Sequence, residues 1–320
     1  QEIENSILKN GEYSEKAIAC LASYRLLHDY KWVTKITPTP ALDNLFNAHV
    51  HNIQKEKTLR QTIKTLNPIS EGVSLAVREQ YEENPYPRWI NTRLVGTYKT
   101  VNEFAGELKL NLDGIDNLSP QPNILVAGCG TGQHALYTAS LFKDSKVLAI
   151  DLSLSSLSYA KRKTEELGFT NIDYLHADIL DLRMLGMQFD IVESLGVLHH
   201  MSDPYLGWET LVDCLKPGGL MTIGLYSDVA LRKVVEITDI IKKRRIPTDK
   251  KAMLNFRKEI MLSTELLKKT APFYDFYSTS EYRDLWFHVQ QHRFTLPLIK
   301  KHLSDLGLKF SGFALRGTKT

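Results

Sequence analysis

Cysteine is scarce in this chain: Cys20, Cys129 and Cys214 are the only three among 320 residues. An odd count with no paired spacing supports neither a disulfide framework nor a thiolate metal site. No metal is expected, and a reducing cytoplasm is the expected compartment. An excess of charge is missing too. The 40 basic residues nearly cancel the 37 acidic ones, leaving a formal +3, too small a field to argue for nucleic acid or an anionic membrane as partner. Long apolar runs are lacking: nothing approaches the roughly 18 residues of a bilayer-spanning helix, and residues 1–30 lack the basic and apolar regions of a secretory signal. The first residue is Gln1 rather than Met, which leaves room for sequence upstream. Internal repeats and low-complexity tracts are not found, and nothing in the composition sets an oligomeric state. What is present is 43% hydrophobic residues, enough for one large folded domain or two of ordinary size.

The pattern along the chain changes twice. Up to about residue 66, apolar residues recur at helical spacing (Ala17, Leu21, Tyr24, Leu27, then Leu42, Leu45, Phe46, Val50) around a break at Pro38 and Pro40, which predicts a helical N-terminal region. The stretch 67–74 reads as a linker, and the expected division is 1–75 helical and 76–320 a second domain. Pro85 and Pro87 exclude a regular helix through Tyr81–Trp89, sequence YEENPYPRW. From Asn123 onward, short apolar segments alternate with helical ones, the signature of βα units on a doubly wound, mostly parallel α/β sheet with helices on both faces. Strands are expected at 123–127, 146–151, 172–175, 189–194 and 220–226, with a sixth at 309–314 after a helix that Gly307 caps. Lys216-Pro217-Gly218-Gly219 supplies a helix stop and a turn. Residues 227–295 far exceed an ordinary loop. Their helical periodicity and aromatic content (Phe273, Tyr274, Phe276, Tyr277, Tyr282, Trp286, Phe287) predict an inserted lid over the carboxyl edge of the sheet.

The chemistry concentrates around Val126–His134, sequence VAGCGTGQH. A strand running into Gly128, Gly130 and Gly132 and then a helix places glycines where the backbone turns sharply and a ligand approaches without a Cβ in the way. The spacing is G-x-G-x-G, with Gln133 where the dinucleotide fingerprint wants its third glycine. That tilts the reading from a nicotinamide cofactor towards S-adenosylmethionine, which has no pyrophosphate to cradle. Asp151 closes the next strand, where a carboxylate can accept from both ribose hydroxyls; helix capping is the plainer alternative. Asp178 follows the third strand, where it could take the exocyclic amine of adenine with Ile179 packed on the ring, or merely cap a turn. The fourth strand opens at Glu193-Ser194-Leu195-Gly196-Val197-Leu198-His199-His200.

These segments resemble the class I S-adenosylmethionine-dependent methyltransferase family in glycine loop, ribose acid, adenine acid, post-strand-four loop and LKPGG turn, over about residues 123–226. The resemblance implies a Rossmann-like fold and a methyl donor as cofactor. It further implies that Gly128, Gly130 and Gly132 surround the methionine portion, Asp151 and Leu152 hold the ribose, Asp178 and Ile179 hold the adenine, and Glu193 or its neighbours touch the amino acid end. The YEENPYPRW segment and the downstream LWFHVQQHRFTLP resemble a bacterial subgroup often attached to helical repeat regions. The first segment is either a proline-rich linker docked by its aromatics or, as in similar enzymes, one in which Tyr81, Tyr86, Arg88 or Trp89 closes over the cofactor. The family sheet usually ends in a two-strand hairpin, of which only the sixth strand is expected here.

Methyl transfer from a sulfonium is an in-line displacement, so positioning and exclusion of water do most of the work. An oxygen or protonated amine acceptor also needs a base, for which His199, His200 and the lid's His288 are the candidates. The Asn/Asp-Pro-Pro-aromatic motif of base-methylating enzymes is missing after strand four, which argues against nucleic acid and for a small molecule or a protein side chain. The competing readings are a nicotinamide-dependent oxidoreductase and a non-catalytic module that binds a protein partner. Cys129 reads as a packing residue rather than a nucleophile.

Overall fold

The structure, a computed structural model, describes residues 5–7, 13–69, 72–87, 89–92, 94–107, 110, 118–142 and 144–314. The chain falls into two compact units, Gln1–Thr62 and Ile63–Thr320. The division comes earlier than the expected 75/76, because residues just after it already belong to the sheet of the second unit.

The first unit is helical, as its periodicity predicts. Helix α1 (Glu15–Tyr24) is capped by the Ser14 hydroxyl, which accepts from the Ala17 N–H. Helix α2 (Asp43–Phe46) continues through a π-helical turn, Asn47–His51, into α3 (Asn52–Arg60). Ile18, Leu27, Trp32, Phe46 and Val50 form its core.

The second unit is built on six strands, all paired in parallel: β1 (Lys64–Thr65), β2 (Asn123–Ala127), β3 (Lys146–Asp151), β4 (Ile172–His176), β5 (Phe189–Leu195) and β6 (Leu215–Gly224). Their order is β1-β4-β3-β2-β5-β6. The chain winds one way from β2 and the other way from β5, so the topological switch point lies between those two strands. Alternate residues of one strand serve opposite faces: Ile124 and Val126 join one core, Leu125 and Ala127 the other. A sheet buried on both sides explains why β2 reads as an unbroken apolar run.

Around the sheet lie α4 (Gly72–Glu83), α5 (Val101–Glu107), α6 (Gln133–Leu141), α7 (Leu154–Glu166) and α8 (Pro204–Asp213). Helix α4 begins inside the stretch read as a linker and stops before Pro85, where proline forbids continuation. The Lys216–Gly219 turn sits within β6: the pairing steps from Phe189↔Leu215 to Ile191↔Leu220, so the turn is a bulge in the strand. The expected lid is present as α9 (Arg232–Arg244), α10 (Lys250–Leu262), α11 (Thr264–Thr270) and α12 (Thr279–Trp286). It has its own core, in which Tyr282, Trp286, Phe276 and Phe287 pack edge-on or tilted around Ile237, Phe256 and Ile260. The last helix, α13 (Leu296–Asp305), returns to the sheet through Ile299 and Leu303, and Gly307 follows it at φ +66°.

One expected strand is absent and one unexpected strand is present. Residues 309–314 form no strand; Phe310 and Phe313 meet edge-to-face, half-exposed, at a spacing of three rather than the alternation a strand needs. Conversely β1, two residues long, is too short to show any periodicity. No helix among the described residues is long and apolar enough to cross a membrane.

Candidate active site

A cavity of about 900 Å³ opens at the carboxyl ends of β2, β3, β4 and β5. That volume lies in the upper part of the range of small-molecule sites, about 300–1,000 Å³. Of the residues read from sequence, Gly128, Gly130, Asp151, Leu152, Asp178, Ile179, Tyr81 and His200 line it. Gly132, Glu193, His199 and His288 do not, and Arg88 lies outside the described residues.

The three loop glycines have φ of +74°, +52° and +82°, and each is pressed by a different element. A Cβ on Gly128 would sit 2.3 Å from Val197 after β5, one on Gly130 2.4 Å from the Tyr86 carbonyl oxygen, and one on Gly132 2.6 Å from Ala160 on α7. The close approach that sequence assigned to a ligand is thus shared with protein: Gly132 is a packing glycine, whereas Gly128 and Gly130 both pack and face the cavity.

Asp151 is held by the loop it faces. Its Oδ2 accepts the Gly130 N–H at 2.8 Å and its Oδ1 the Ser153 N–H at 2.9 Å. The cap of α7 is Ser153, whose hydroxyl accepts from Ser156, assisted by Glu82, which accepts from the N–H groups of Leu154 and Ser155. Asp151 is therefore not the cap, and its carboxylate lines the cavity. Burial pushes its carboxyl up to about 6 against the pull of these N–H groups. Asp178 does cap: its Oδ1 accepts from Leu180 at the turn Ile179–Leu185, while the side chain also lines the cavity. Glu193 faces α6 instead, bonded by the Thr138 hydroxyl at 2.6 Å and 3.0 Å from His134 Nε2; its neighbours Leu195 and Gly196 reach the cavity. Cys129 is buried with its thiol pushed up by desolvation, in keeping with a packing role.

The YEENPYPRW segment joins three parts of the unit. The Tyr86 carbonyl accepts the Thr131 N–H at 3.1 Å, the Pro87 carbonyl accepts the Thr131 hydroxyl, and Trp89 Nε1 donates to the Thr131 carbonyl at 3.2 Å. These bonds clamp the glycine loop. Tyr159 of α7 donates to the Trp89 carbonyl. On the lid side, Glu83 pairs with Arg283, and the Tyr81 hydroxyl donates to Asp284 Oδ1 at 2.6 Å.

The histidines divide by position. His199 is fully buried, stacked on Tyr226 with centroids 3.7 Å apart, and neither ring nitrogen has a partner among the described residues. His200 lines the cavity, and its Nδ1 lies 2.8 Å from the Gln290 carbonyl. A carbonyl only accepts, so Nδ1 carries the proton and Nε2 keeps its lone pair. Burial lowers this imidazole to about 4, so it is neutral near pH 7. His288 stacks on it at 3.5 Å and 19°. Its Nδ1 accepts from the Gln290 N–H at 3.2 Å, which puts its proton on Nε2, 3.2 Å from the Tyr81 oxygen. The direction of donation is therefore His288 to Tyr81 to Asp284. One nitrogen of each histidine and a carboxylate oxygen of Asp284 lie within 4.8 Å of one another. Asp284 was one of several polar lid residues in the sequence. What singles it out is Tyr81, about two hundred positions away, and no local pattern carries that.

Residues 124–219 match the family described as methyltransferase domain. The chain is 29% identical to phosphoethanolamine N-methyltransferase 1 of Arabidopsis thaliana over 149 residues, 47% of this chain and 28% of that protein. It is 37% identical to a ubiquinone biosynthesis O-methyltransferase of Dinoroseobacter shibae over 112 residues, 34% of this chain and 44% of that one. Among solved structures it resembles PKMT2 from Rickettsia typhi in complex with AdoHcy, with a TM-score of 0.53 and 18% identity over 71% of this chain and 48% of that one. The chain thus spans less than half the length of each of these relatives, and the matched family segment runs from β2 to the bulge in β6.

Proposed function

We infer that the chain is an S-adenosylmethionine-dependent methyltransferase that transfers a methyl group to an oxygen or nitrogen nucleophile of a small molecule or protein side chain. The observation that carries this reading is the clamped G-x-G-x-G loop at the switch point, with its Gly130 N–H on Asp151 inside the cavity, within a segment that matches a methyltransferase domain. The relatives are named for N- and for O-methylation, so they leave both kinds of acceptor open. The likeness of the YEENPYPRW segment to a bacterial subgroup belongs to the same reading, as does a cytoplasmic location, which three free thiols suit.

The bound donor supplies a methyl group on a positively charged sulfur. Asp151 accepts the ribose hydroxyls through its unused lone pairs, and Asp178 with Ile179 forms the adenine pocket. Gly128 and Gly130 let the donor's amino acid end approach the backbone. The Tyr81–Pro87 stretch and Asp284 of the lid help to enclose the cavity and so exclude water. His200 Nε2 is the acceptor for any proton the nucleophile must lose.

Calorimetry of the full chain with S-adenosylhomocysteine and with NAD tests the reading. Micromolar binding of the first and none of the second is expected, with about 2.7 kcal/mol of thermal stabilisation at a hundredfold excess over Kd. Binding of NAD alone would overturn it.

A further inference from the structure

One wall of the cavity is both aromatic and acidic. Tyr81 from α4, Tyr86 after it, Tyr226 after β6 and Asp284 from α12 all line it. Desolvation raises the Tyr86 and Tyr226 phenols, and in both cases the carboxylates of Asp284 and Asp275 add to the rise. Glu281 acts on Tyr86 in the same direction.

Asp284 is only 5% exposed, yet no cation pairs with it among the described residues. Its neighbour Arg283 is engaged with Glu83. Oδ1 takes the Tyr81 proton, and Oδ2 has no hydrogen-bond donor among the described residues. A buried carboxylate without a counter-ion is costly, and aromatic faces around it attract cations. A neutral hydroxyl in this place would gain a hydrogen bond but leave the charge uncompensated. An ammonium group compensates it and gains the ring faces as well.

Resting on the methyl-donor reading above, we propose that the acceptor is an amine, bound as its ammonium ion among Tyr81, Tyr86 and Tyr226 with Asp284 as counter-ion. One N–H proton of the ammonium passes to His200 Nε2, whose lone pair is kept available by the Nδ1 contact with Gln290. The freed nitrogen pair forms the new N–CH3 bond as the S–CH3 bond breaks, with that bond's electron pair going to sulfur. The methylated product is again a cation, and the released proton leaves through His200. The ring nitrogen of His200 and the carboxylate of Asp284 are close enough for the transient imidazolium to be stabilised where it forms.

The test uses the full chain with S-adenosylhomocysteine bound, titrated by calorimetry and saturation-transfer NMR with n-butylammonium chloride and with 1-butanol at equal ionic strength. The ammonium should bind at least tenfold more tightly than the alcohol. D284N should erase that preference while S-adenosylhomocysteine affinity stays within about threefold, which also reports that the variant is folded. Y226F should keep the preference and Y226L should weaken it severalfold. Equal or tighter binding of the alcohol, or no ammonium binding at tens of millimolar, overturns the amine proposal alone. Failure of S-adenosylhomocysteine to bind the unaltered chain overturns the methyl-donor reading and the amine proposal with it.

Discussion

Asp151 and Asp284 line the same cavity, the first partly and the second almost fully buried, and desolvation pushes both carboxyls up to about 6. They are held by different means. Asp151 is bonded by backbone N–H groups of its own glycine loop and of the residue two beyond it, within a segment of continuous sequence. Asp284 is bonded by a side chain about two hundred residues earlier, from a helix outside the family match. One carboxylate is set by local chain geometry, the other by how a separate lid packs against α4. The half of a site that holds an invariant ligand can be written in short motifs. The half proposed for the acceptor is assembled from distant pieces.

The largest effect should come from breaking the local half. G130A puts an L-residue at φ +52° and a methyl 2.4 Å from the Tyr86 carbonyl, a backbone atom that cannot swing away. A loss of about 2–4 kcal/mol in chemical denaturation is expected, with S-adenosylhomocysteine binding weakened more than a hundredfold. Wild-type behaviour would mean that the loop is not clamped as described. D151N follows. The substitution to asparagine is the informative one, because alanine would leave the Gly130 and Ser153 N–H groups without an acceptor at about 1–3 kcal/mol each. Asparagine keeps an acceptor for only one of those two N–H groups and turns its NH2 on the other, so about 1–3 kcal/mol of stability should be lost. The amide also loses the charge that two ribose hydroxyls need, so affinity should fall about a hundredfold. Unchanged affinity by calorimetry would remove Asp151 from the ribose.

The same carboxylates give the comparison a pH axis. A carboxyl whose folded value is raised from 3.8 to about 6 takes up protons on folding between those values. Its contribution to stability is full below about 4 and is lost as pH rises through 6. The cost at pH 7 is at most about 3 kcal/mol per group. Donor binding needs Asp151 ionised, so affinity for S-adenosylhomocysteine should fall as pH drops below 6, by up to tenfold per unit, and level off above it. D151N should abolish this dependence, and D284N should leave it in place. The reverse pattern would exchange the roles of the two acids.

Y81F probes the assembled half. It removes the hydroxyl that joins His288 to Asp284 while keeping the ring. Donor affinity should change less than threefold, and methyl transfer measured with labelled donor should fall about tenfold. Loss of donor affinity with unchanged turnover would return Tyr81 to the cofactor, as the sequence resemblance implies.

This asymmetry also explains how much was legible beforehand. Strands β2 to β6 follow from apolar runs between turn residues, and the lid from an interval too long for a loop. The place of Asp151 beside the glycine loop follows from its distance to the glycines. Alternation along β5 turns Glu193 towards Thr138 and His134 on α6, and it is His134 and the neighbours Leu195 and Gly196 that line the cavity. His199 and His200 are adjacent in sequence, yet one stacks on Tyr226 and the other faces the cavity. The Gln290 carbonyl, ninety residues on, is the partner that holds the His200 ring.

The smallest expected effect concerns the seam between the two halves. Glu83 and Arg283 form an ion pair in which the glutamate side chain is 63% exposed and the arginine 12%. An exposed pair contributes between zero and about 1 kcal/mol, because water screens it and ordering two long side chains costs entropy. E83Q should therefore lower thermal stability by no more than a few degrees, and it should leave both donor affinity and the pH profile unchanged. Tyr81 and Glu82, the two residues before it, already fix α4 to Asp284 and to the start of α7. A larger loss, confined to methyl transfer, would show that the ion pair rather than the Tyr81 bond sets the lid, and the two halves would then differ in the strength of their attachment more than in their chemistry.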